Sequence, residues 1–126
     1  MKYTELTVVS VLSRAYFAPE LSETDFPPEV SGRLKKGSSA LESSFDGAVL
    51  LVTDSRDLIK AFVNRRLKNS YAVYIGDPFE IESAFDRVTD IWSPFDGGAL
   101  LKKRYRLLLD HIRCRTELQE LKQRGN

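Results

Sequence analysis

Between Ala48 and Phe95 three short apolar runs alternate with two amphipathic ones. The first, Ala48-Val49-Leu50-Leu51-Val52-Thr53, is nearly continuous and rich in β-branched residues, the pattern of a strand buried on both faces and central in its sheet. Ser55 is placed to cap a helix whose apolar positions Leu58, Ile59, Phe62, Val63 and Leu67 recur at helical spacing, with Lys60, Arg65, Arg66 and Lys68 on the other side. Asn69-Ser70 stops that helix, and Tyr71-Ala72-Val73-Tyr74-Ile75 predicts a second strand ending at Gly76. Asp77-Pro78-Phe79-Glu80 is the clearest helix start in the chain: an Asp able to accept from backbone N–H groups, Pro at the first helical position, and Glu three residues after the cap. Ile81, Ala84, Phe85 and Val88 form the predicted buried stripe of that helix. Thr89-Asp90-Ile91-Trp92 follows as a short strand, and Pro94 ends its pairing. Strands alternating with helices in this way predict a parallel α/β sheet whose functional edge lies at the strand ends.

The succession strand, helix, strand, helix, strand, Pro-Phe, Asp and long helix resembles the second half of a response-regulator receiver domain, over residues 45 to about 112. The resemblance implies a flavodoxin-like, three-layer αβα fold with a central, mainly parallel five-stranded sheet and an extended C-terminal helix. Glu5 to Leu12 would be the first strand, and its distance from the Ala48 strand fits two helices and a strand between them. Residues 13–44, however, carry Pro19, Pro27, Pro28 and the run Lys35-Lys36-Gly37-Ser38-Ser39, which predict short or irregular pieces.

A working receiver also implies an acceptor Asp at the end of the third strand, an acidic pair after the first strand for Mg²⁺, a hydroxyl after the fourth strand, and a Lys before the Pro. Asp54 is the candidate acceptor, although strict register puts Val52 or Thr53 at that place. Ser10 to Arg14 supplies no carboxylate, Gly76 or Asp77 stands where the hydroxyl belongs, and Ser93 replaces the Lys. Without hard oxygen ligands and the cation, little remains to stabilise an aspartyl phosphate. The expectation is a degenerate pseudo-receiver without metal, cofactor or catalytic residues, in which Asp54 is an ordinary strand-to-helix turn residue.

The 126 residues predict one domain able to bury a core without a disulfide or metal. With 42% hydrophobic and 29% charged residues, no long apolar run and no secretion-like start, the expected compartment is the cytoplasm. The single Cys114 and single His111 cannot build a structural zinc site. Residues 101–126 hold eight Lys or Arg against three Asp or Glu, but the cations are spread around the helix and interleaved with acids, which argues against a nucleic-acid face.

Leu101, Tyr105, Leu108 and Ile112 form a stripe suited to packing on the sheet. A second stripe, Leu107, His111, Cys114, Leu118 and Leu121, steps by four and three residues past the expected domain end. It divides the chain into a receiver-like domain over 1–112 and a helical, coiled-coil extension over 113–126, and predicts a homodimer paired through this helix. The expected interface residues are Trp92, Phe95, Leu107, Cys114, Leu118 and Leu121.

Three functions follow from these readings. In the preferred one the chain is a signalling and interaction module that dimerises or couples to a fused or separate output domain without phosphorylation. In the second, Asp54 accepts phosphate, with Glu20 or Glu23 helping to hold Mg²⁺. In the third, the crevice at the strand ends binds a small molecule or performs catalysis on one.

Overall fold

The computed structural model describes residues 4–12, 30–37, 39, 41 and 47–124. Five parallel strands, β1 (Thr4–Val11), β2 (Val30–Lys36), β3 (Ala48–Thr53), β4 (Ser70–Ile75) and β5 (Asp90–Trp92), form one sheet in the order β2-β1-β3-β4-β5. Helix α1 (Arg56–Asn64) connects β3 to β4, a 3₁₀ segment (Pro78–Arg87) connects β4 to β5, and α2 (Gly98–Arg124) follows β5. The expected α/β class, parallel five-stranded sheet and extended C-terminal helix are all present.

All six residues of β3 are buried, and their alternation feeds two cores. Ala48, Leu50 and Val52 join Leu6, Val8, Val73, Ile75 and Trp92 beneath Leu101, Tyr105, Leu108, Leu109 and Ile112 of α2. Val49 and Leu51 join Val9, Ala72 and Tyr74 on the other face, covered by Ile59, Phe62 and Val63 of α1 and by Ile81 and Ala84 of the 3₁₀ segment. The sheet is therefore sandwiched between α2 on one side and α1 with the 3₁₀ segment on the other.

Four expectations change. Residues 30–36, within the stretch 13–44 whose prolines predicted short or irregular pieces, form the strand expected between the first strand and Ala48: edge strand β2, which pairs with β1 from Thr4↔Val30 to Ser10↔Lys36. Exposed Arg33, Lys35 and Lys36 mark it as a charged edge, which is why no apolar run announces it. The Lys35-Lys36-Gly37 run closes the strand: Gly37 N–H donates to Ser10 O at 3.0 Å, and its φ of 97° is one that only glycine adopts readily. Ser13, Arg14, Pro19, Glu20, Glu23, Pro27, Pro28, Ser38, Gly125 and Asn126 lie outside the described residues.

Helix α1 starts at the expected cap, with Ser55 Oγ accepting from Leu58 N–H at 3.3 Å, but it ends at Asn64 instead of running to Leu67. Arg66 and Asn69 take positive φ values of 50° and 54° in the turn into β4, while Leu67 still packs on the α1-side core.

The Asp77 capping box is present, with Asp77 Oδ1 accepting from Phe79 N–H and Glu80 Oε1 from Asp77 N–H, both at 3.0 Å. The segment it starts winds as 3₁₀ with a kink at Ile81, not as an α-helix. At three residues per turn Ile81 and Ala84 share the inner row, whereas Phe79, Glu82 and Phe85 share an outer one. Phe85 is accordingly 55% exposed instead of joining the buried stripe.

The fourth change is Trp92. An expected interface residue, it is fully buried against α2, and its indole N–H donates to Asp90 Oδ2 at 2.8 Å.

Gly47 leads into β3 with its Cα against β1: a Cβ there would lie 2.5 Å from Glu5 O. Gly47→Ala is expected to cost about 1–3 kcal/mol, read as a lowered denaturant midpoint at unchanged slope. An unshifted midpoint would show that β1 yields freely there.

Candidate functional site

A cleft of about 770 Å³ lies beside the C-terminal ends of β3 and β4 and runs along β5, with Val88, Thr89 and Asp90 lining it at the start of that strand. Tyr74 and Ile75 belong to its lining from β4, Asp54 comes from the end of β3, and Ser93-Pro94-Phe95 from the end of β5. The 3₁₀ segment contributes Pro78, Glu80 and Phe85.

Thr53 is the last residue of β3, and Val52 beside it, the other residue expected by register at the acceptor's place, is buried in the α2-side core. Thr53 is completely buried; its hydroxyl donates to Val11 O at 2.7 Å and accepts from Ser55 N–H at 3.0 Å. The side chain thus ties the end of β1 to the start of α1, a structural bond and not a reactive one. Asp54 lies one residue further on, half-buried and lining the cleft.

Ser93, at the place of the receiver Lys, carries no charge, and its Oγ accepts from Phe95 N–H at 3.2 Å, forming the turn that leads to α2. Arg104 then clamps that turn to the helix through Asp96 at 2.8 Å. Of Gly76 and Asp77, expected where a hydroxyl would follow the fourth strand, Asp77 caps the 3₁₀ segment and Gly76 leaves no room for a side chain, since a Cβ there would meet the Tyr74 ring at 2.8 Å.

The charged side chains among the described lining residues are acids. Asp54, Asp77, Glu80 and Asp90 line the cleft, and no Lys, Arg or His does among the described residues. Tyr74 reports this field. Burial chiefly, then the charge of Glu80 and a hydrogen bond to it, with Asp54 adding and Arg56 opposing, push its phenol up to about 12. Among the described residues no three of His, Cys, Asp and Glu are grouped so as to hold a metal ion. The alternative ligands Glu20 and Glu23 are outside the described residues.

The other expected interface residues are dispersed. Phe95 is 95% exposed at the cleft rim. Leu107, Leu118 and Leu121 are exposed along α2, and Cys114 is half-buried, its Sγ 3.5 Å from an Arg113 nitrogen. Sequence reasoning missed the structural bonds of Thr53 and the presence of Asp77, Glu80 and Asp90 in the same cleft as Asp54. A polar residue ending an otherwise apolar central strand was the available signal for Thr53; the shared cleft depends on the fold alone.

No protein-family model, curated protein or solved structure matches the chain. No described helix is long and apolar enough to cross a membrane.

The Tyr74 environment sets a pH dependence. Its folded pKa is raised above the ordinary 10.0, so the folded state holds the phenol proton more tightly than the unfolded chain does. The associated stability is complete below about pH 10 and is lost as pH rises toward about 12. In spectrophotometric titration one tyrosine should ionise near 12, and Glu80→Gln should bring it down. An unchanged titration in Glu80→Gln would refute the contact.

Proposed function

We propose that the chain is a receiver-like signalling and interaction module of the cytoplasm that works without phosphorylation, pairs through α2 and thereby organises a fused or separate output domain. The observation that carries this reading is the overhang of α2. A parallel strand of six residues such as β3 spans about 20 Å, whereas the 27 residues of α2 span about 40 Å. Beyond Ile112 none of its described side chains is buried, yet Leu118 and Leu121 continue a leucine stripe from Leu107. Arg113 braces this stretch by bonding Asp110 at 2.9 Å and Glu117 at 3.1 Å along the helix. A second α2 covering that stripe would remove the leucines from water.

The cleft supports the phosphorylation-independent part. A phosphoryl group on Asp54 would add negative charge to a cleft already lined by Asp77, Glu80 and Asp90. The hydroxyl of Thr53 is committed to the backbone.

The protein should sediment as a dimer at micromolar concentration, and Leu118→Glu should yield a monomer of unchanged helicity. A wild-type monomer at high micromolar concentration, or a Leu118→Glu dimer, refutes pairing. Incubation with Mg²⁺ and acetyl phosphate should leave the intact mass unchanged; covalent phosphate on Asp54 would establish the active-receiver alternative instead.

A further inference from the structure

The buried stripe of α2 does not stop where the sheet stops. Leu101, Tyr105, Leu108 and Ile112 continue at the same spacing as Arg115 and Gln119, so the face changes from apolar to cationic and polar as the helix passes the N-terminal ends of β4 and β5. There it forms one wall of a second groove, of about 420 Å³, lined by Arg87, His111 and Arg115 together with Asn69, Thr89 and Gln119. No carboxylate lines it among the described residues.

Its donors are positioned by the fold. Arg87 is anchored by one guanidinium nitrogen to Asn64 Oδ1 and by the other to Ser83 O at 3.0 Å, which holds the group against the ends of α1 and the 3₁₀ segment. A guanidinium has five N–H donors, so these bonds leave others for a ligand. The nearest carboxylate, Asp86, is 3.9 Å away and points largely into solvent. Thr89 Oγ1 accepts from Ala72 N–H at 2.9 Å, leaving its hydroxyl proton to be donated. Arg115 makes no ion pair with a described carboxylate, and its charge is felt at the buried hydroxyl of Tyr71, where it opposes the upward push of burial.

We propose that this groove binds a phosphate dianion, free or as a phosphomonoester, between the guanidinium groups of Arg87 and Arg115, with His111 and the Thr89 hydroxyl as further donors. Two planar guanidiniums match the oxygens of a tetrahedral dianion, and charge-assisted hydrogen bonds of this kind are about twice as strong as neutral ones. The groove exceeds the volume of a phosphate group and leaves room for an esterified substituent. The site does not rest on the receiver-like reading; it lies at the start of β4, away from the C-terminal ends of β3 and β4, and shares Val88 and Thr89 with the cleft.

The test is a titration of the full chain with inorganic phosphate and, separately, phenyl phosphate, at ionic strength held constant with chloride and followed by two-dimensional amide NMR. Saturable shifts are expected at Asn69, Thr89 and Arg115. Tighter binding of phenyl phosphate identifies an esterified ligand, and tighter binding of inorganic phosphate a free one. Arg115→Gln should weaken binding by about tenfold or more, the loss expected for one charge-assisted contact, with the rest of the spectrum unchanged. Lys103→Gln, on the exposed side of α2, should leave affinity unaltered. Arg87→Gln should also weaken binding, but it loosens the contact with Asn64, so Arg115→Gln decides. Shifts that grow in proportion to added phosphate without saturating, or an Arg115→Gln affinity equal to wild type, would overturn the site.

Discussion

The burial of β3 on both faces governs the rest of the molecule. A strand with every side chain out of water needs a covering layer above and below, and the two-residue period of the backbone assigns Ala48, Leu50 and Val52 to one layer and Val49 and Leu51 to the other. α2 supplies the first layer, α1 and the 3₁₀ segment the second. Each covering element must carry the chain back to the start of the next strand or beyond it, so the turns out of β3, β4 and β5 gather at one edge. The cleft exists because those turns meet there, whatever their residues do chemically.

The strength of this constraint explains what the sequence made legible. The β3 run coincides with the strand because its apolar signal has no competitor, and Ser55 and Asp77 are found as caps because a cap is a local bond between neighbours. β2 was hidden by its position: at the edge, Arg33, Lys35 and Lys36 face water, and its pairing with β1 depends on residues far away in the chain. The 3₁₀ winding was hidden because Ile81, Ala84, Phe85 and Val88 satisfy an α-helical stripe equally well on paper. The 3₁₀ turns on either side of the kink at Ile81 bury Ile81 and Ala84 and leave Phe85 facing outward.

The site divides in the same way. Asp54 was identifiable as the acid after a central strand, but its company was not, because Asp77 serves a cap and Asp90 accepts from the Trp92 indole. Each acid has a local structural reason to be present, and only the fold sums them into a negative cleft. Thr53 teaches the converse. Its hydroxyl joins β1 to the start of α1, a task that a phospho-acceptor carboxylate at the same place could not perform while remaining available to substrate.

Helix α2 then links the two ends of the sheet. Its first turns are clamped to the cleft side by Arg104 and Asp96, its middle is packed over Trp92, and its last turns stand beyond the sheet with leucines on one face and Arg115 on another. The helix is supported through Ile112, and the shorter arm beyond it carries no buried side chain among the described residues. The groove residues His111 and Arg115 begin where that arm begins, so an anion held there and to Arg87 would tether the arm to the 3₁₀ segment. The packing of one continuous helix thus places the cleft, the groove and the leucine stripe under a common mechanical constraint.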